Sequence, residues 1–172
     1  LVFRMPWLQK AQYFHADKRN LALLSDQDLM DNWGVPSVHR AQLSRIPQTI
    51  AVTPDNAEKL WANRRQYFFK PNAGFGSRAA YRGAKLTKKT WSQILSGGYV
   101  AQEFVSPPVK AVSYEGEQSA LKFDVRVYSY DGQVLGFAAR VNQGQTTNLR
   151  TAGGGLAPVL SMQDCRLACR TA

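Results

Sequence analysis

A mixed α+β fold of short helices and antiparallel strands follows from three features of the sequence. Apolar residues recur at helical spacing early in the chain, as Leu21, Leu24, Leu29 and Met30. From Ile46 onward, short β-rich runs recur between prolines and glycines. Two such runs flank Asp131-Gly132, a pair that favours a two-residue hairpin turn. With no internal repeat, helices interspersed with antiparallel strands define the class.

Residues 1–15 are mixed and aromatic and form an unassigned N-terminal segment. Asp17-Lys18-Arg19-Asn20 opens a helix that closes before Gly34, and Val35-Pro36 breaks the pattern. Ile46 to Val52 reads as a strand. Thr53 then caps a helix with Pro54 at its first position, running to about Arg65. Tyr67 to Lys70 is a short buried strand stopped by Pro71, and Asn72 to Gly83 is a glycine-containing loop or flexible hairpin. Thr87 starts a helix that Gly97-Gly98 ends, and Tyr99 to Val105 is a strand running into Pro107-Pro108. In the late hairpin, alternation places Lys122, Asp124 and Arg126 on one strand face. The organisation is a first lobe over 16–105, a second over 106–159 and a tail over 160–172.

A net charge of +10 calls for an anionic partner, although charge alone does not separate phosphorylated small molecules from nucleic acid or membrane. The cations are dispersed, with no long basic run of the kind found in nucleic-acid tails. Cys165 and Cys169 have no second pair to complete a zinc site, and read as free thiols of a reducing compartment. With no apolar run of membrane-spanning length and no signal-peptide pattern, the expected location is cytoplasmic. The chain opens on Leu1 rather than Met, which suggests a fragment or a trimmed chain.

Lys70 stands at the end of an apolar strand, directly before Gly74, Gly76, Ser77 and Arg78. A phosphate loop needs backbone N–H groups free to converge and a cation on rigid backbone, but the spacing is not that of a Walker A loop. Taken alone, these residues describe a plain surface hairpin better than a phosphate loop. Gln102-Glu103 at a strand end could read the edge of an adenine, or simply face solvent. Asp124, Arg126 and Arg140 suit phosphate or carboxylate recognition, or form a surface ion-pair ladder. Gly153-Gly154-Gly155 reads as a linker, and His15 and His39 have no partners at ligand spacing.

The order of these signals, over Ala16 to Val159, resembles the ATP-grasp superfamily. The wording around Asp17-Lys18-Arg19-Asn20, the loop from Lys70 to Gly83, and Gly144 through Gly155 is most similar to its circularly permuted branch, related to glutathionylspermidine synthase. That resemblance implies a glutathione-synthetase-like ATP-binding fold, two small α+β lobes with mostly antiparallel sheets around a nucleotide cleft. It implies ATP and Mg²⁺ as cofactors of the complete enzyme, and a small carboxylate or amine as substrate. Lys18 and Lys70 then reach the nucleotide phosphates. Gly74, Gly76, Ser77 and Arg78 form the loop over the triphosphate, and Gln102, Glu103 and Val105 contact adenine. Arg126 and Arg140 flank the phosphates and the acyl intermediate, Asp124 is the metal-facing carboxylate, and Asn148 belongs to the same rim.

One departure stands out. The family holds magnesium with an acidic residue and a later Glu-x-Asn element, whereas the only carboxylate here after Asp131 is Asp164. The expectation is an ATP-binding portion of a carboxylate–amine ligase, inactive by itself. The alternatives are a non-catalytic nucleotide-binding protein and, more weakly supported, a basic nucleic-acid-binding domain.

Overall fold

The computed structural model describes residues 16–74, 79–114, 117–144, 149 and 153–160. The chain divides into two compact units, Leu1–Val105 and Ser106–Ala172. Helices and two antiparallel sheets make the chain α+β, as the patterning predicts. Among the described residues no helix is long and apolar enough to cross a membrane.

The first unit opens with α1 (Arg19–Ser25), α2 (Gln27–Asn32) and α3 (Ser37–Leu43). The single helix expected from Asp17 is therefore two. Asp26 leaves helical geometry because its carboxylate accepts the Leu29 N–H at 2.9 Å and caps α2 instead. α3 was not expected from the pattern, and Pro36 stands at its N-cap.

β1 (Thr49–Ala51) leads to a 3₁₀ turn (Pro54–Asn56), α4 (Ala57–Ala62) and a second 3₁₀ turn (Arg64–Gln66). The predicted continuous helix from Thr53 is thus broken into three short pieces. Asn56 fixes the entry, accepting from the Thr53 N–H at 3.0 Å and donating to the Ala51 carbonyl at 2.8 Å. β2 (Tyr67–Pro71) and β3 (Tyr81–Arg82) form a hairpin, so the segment after Lys70 returns to the sheet. A 3₁₀ turn (Gly83–Lys85), α5 (Lys88–Leu95) and β4 (Tyr99–Glu103) complete the unit. Thr87 caps α5 by accepting the Thr90 N–H at 3.2 Å. Gly83 is obligatory, since a Cβ there would lie 1.7 Å from the Arg64 carbonyl oxygen.

The strand order is β1-β4-β2-β3, all antiparallel. Strand alternation sends Phe69 and Ala101 to one face, where they pack with Leu60, Trp91 and Ile94 in the buried core. On the opposite face, Thr49 and Val100 are buried, and the Thr49 N–H donates to the Ser25 hydroxyl of α1 at 3.1 Å.

The second unit holds β5 (Val109–Tyr114), β6 (Glu117–Tyr130), β7 (Gln133–Asn142) and β8 (Gly155–Pro158), paired in that order. Its described elements are all strands. The hairpin turn is as predicted: Asp131 and Gly132 both have positive φ, 47° and 71°. Gly155, expected in a linker, begins β8 and pairs with Val141.

Candidate anion-binding site

One row of side chains crosses the first sheet at a single level. Thr49 lies opposite Gln102, Gln102 opposite Phe68, and Phe68 opposite Arg82. Lys70, two residues along β2, points to the same face as Phe68. Its ammonium donates to the Gln102 side-chain oxygen at 2.6 Å, and the Gln102 amide donates to the Thr49 hydroxyl at 3.0 Å. That chain of bonds fixes the Gln102 orientation and holds Lys70 against the sheet.

Lys18 reaches this place from the start of α1. Its backbone N–H donates to the Asn72 carbonyl at 2.9 Å and its ammonium to the Gly74 carbonyl at 3.1 Å. The two lysines are close enough to repel. The Lys70 ammonium is pushed below the ordinary lysine range, first by burial and second by the charge of Lys18. Asp17 is held by Arg19 at 2.6 Å, and its charge also acts on Lys18 without a salt bridge to it. Lys18, Lys70, Gly74 and Gln102, four residues singled out from sequence, are therefore brought together in one unit.

Gln102 and Glu103 separate. Adjacent strand residues face opposite sides, so their side chains do not share one ligand edge from the same face. Glu103 instead lines a hollow of about 470 Å³ with Gln48, Arg65, Gln66, Tyr67 and Phe104. Val105 lies past the end of β4 and is exposed. Gly76, Ser77, Arg78 and Asn148 lie outside the described residues.

The sequence reading missed Arg82, which it placed inside the loop. Its guanidinium stacks 4.3 Å over the Phe104 ring, and its Nε atom is buried without a hydrogen-bond partner among the described residues. The usable signal was Tyr81-Arg82 after the glycines, a two-residue return strand too short to show periodicity.

In the second unit, Asp124 and Arg140 are direct cross-strand partners. Arg140 grips the carboxylate with both ends of its fork, at 2.7 and 2.9 Å. Alternation places Lys122 and Arg126 on the same face, and Lys122 donates to the Gly144 carbonyl at 3.0 Å. Magnesium normally takes one or two carboxylates besides the phosphates. An ion at Asp124 would compete with a guanidinium for both oxygens, flanked by cations rather than by a second carboxylate. Among the described residues no three His, Cys, Asp or Glu side chains converge as a metal set. In this arrangement Asp124 is engaged by Arg140, while Lys18, Lys70 and Gln102 gather on the first sheet.

No protein-family model and no curated protein matches the chain.

Proposed function

We propose that this chain binds ATP through its first unit, as the nucleotide-binding portion of an ATP-grasp carboxylate–amine ligase. The observation that carries the proposal is the meeting of Lys18 and Lys70 beside Gly74, with no salt bridge to either lysine among the described residues. Two cations held by backbone and by a glutamine, rather than by carboxylates, are prepared for an incoming polyanion. The order of motifs supplies the ligase assignment. In such an enzyme a carboxylate is phosphorylated by ATP and an amine then attacks the acylphosphate. The part of Lys18 and Lys70 is to position and neutralise the phosphates.

The Asp124–Arg140 pair favours a second reading, nucleotide binding without catalysis, because the metal-facing carboxylate expected from sequence is already engaged. Titration calorimetry with ATP tests the shared core of both. The intact chain should bind, and Lys70→Ala should weaken binding by about 1–3 kcal/mol, the range for a charge-assisted contact. Equal affinity in the two proteins, with unchanged thermal unfolding, would remove Lys70 from the site.

A further inference from the structure

We infer that Arg82 is a third cation of this site, and that it selects ligands carrying two or more linked phosphates. The inference rests on the anion-binding reading above and adds a residue and a ligand class to it. Three observations carry it. First, Arg82 is opposite Phe68 on the face that holds Lys70. A diagonal pair of this kind lies within reach of two long side chains, roughly 7–8 Å apart at Cα.

Second, the guanidinium is already immobilised. The Phe104 ring covers one of its planes at 4.3 Å, and the in-plane N–H groups are the donors left to grip a ligand. The buried Nε–H of this group has no acceptor among the described residues. A buried donor without a partner is costly, so a position retaining one is suited to an acceptor that arrives from outside.

Third, the cations are not tied up by carboxylates at ion-pair distance. None of Lys18, Lys70 and Arg82 forms a salt bridge among the described residues. A lone orthophosphate can meet one or two of three cations spread over neighbouring strands. A di- or triphosphate places charge at linked positions and can meet all three, with the planar fork of Arg82 gripping two oxygens of one phosphoryl group.

Inorganic tripolyphosphate and orthophosphate serve as probes, because neither has a base and both therefore report on the cations alone. Calorimetry would compare the whole chain with its Arg82→Gln, Arg82→Lys and Lys70→Ala variants, each checked for cooperative unfolding. Tripolyphosphate affinity should fall roughly ten- to a hundredfold in Arg82→Gln, with a several-fold fall in Arg82→Lys, which keeps charge but not the fork. Orthophosphate should bind weakly and equally to the native chain and both Arg82 variants. If Arg82→Gln does not fold, the fall in Arg82→Lys decides. Native tripolyphosphate affinity in the folded Arg82 variants, with loss in Lys70→Ala, would overturn the inference and leave the nucleotide site standing. No tripolyphosphate binding by the native chain would overturn both.

Discussion

Lys70 holds its charge against two opposing effects, burial and the nearby Lys18, and both lower its proton affinity. A bound phosphate acts in the opposite direction and favours the ammonium. Between the lowered value and the ordinary lysine range, part of the free protein carries a neutral Lys70. Ligand binding in that window should therefore take up a proton, and affinity should decline as pH rises through it. The sign for folding follows from the same shift. The unfolded chain binds this proton more tightly, so the burial of Lys70 opposes folding fully below the lowered value. That opposition fades as pH rises toward the unfolded value. ATP titrations in two buffers of different ionisation enthalpy would measure the uptake. Proton release, or no exchange anywhere in the window, would show that the anion does not approach Lys70.

Among the elements, the β6–β7 hairpin depends most on two residues. Asp131 and Gly132 both occupy the left-handed region, which matches the twist of the paired strands. A Cβ at Gly132 would meet nothing within 4 Å, so the effect of a substitution there comes from backbone conformation alone. Gly132→Ala should cost about 1–2 kcal/mol, the penalty of left-handed geometry for an L-residue. Denaturant unfolding of the whole chain would check the value, and a loss below the error of the fit would mean that the turn adopts another geometry. The paired strands also carry half-exposed Val125, Val127 and Phe137 opposite the charged Asp124 face. Alternation thus assigns the charged and apolar faces before any packing is considered.

For the whole molecule, the surplus of ten positive charges makes some attraction to any polyanion unavoidable. What distinguishes a built site from a diffuse field is its response to salt. Nucleic-acid binding through dispersed phosphate contacts should collapse between about 50 and 200 mM salt, by on the order of 10³-fold or more if six or more contacts form. ATP, held by a few fixed groups, should lose much less. Fluorescence anisotropy with a labelled single-stranded RNA, beside ATP calorimetry over the same salt series, makes the comparison. RNA binding tighter than ATP binding at about 150 mM salt would turn the reading toward a nucleic-acid-binding domain.

Elements governed by local chemistry were legible in the sequence. The Asp-Gly turn, the Thr87 cap and the strands at Tyr67 and Tyr99 follow from side chains acting within a few residues. The elements that were not legible depend on partners far along the chain. Residues at Ser37–Leu43, Val109–Tyr114 and Gly155–Pro158 carry too short or too weak a period to be read alone. The extent of α1 was decided where Ser25 meets Thr49 and where Asp26 prefers to cap α2. The same division applies to the site. Lys70 could be named from its place before a glycine-containing loop and Gln102 from its place at a strand end, whereas Lys18 was named only through the resemblance. The role of Arg82, the parting of Gln102 from Glu103, and the commitment of Asp124 to Arg140 came only from strand register. Sequence alone determined which residue types and local turns the chain has. Tertiary structure decided which side chains face one another, because register and sheet order are set by long-range pairing and burial.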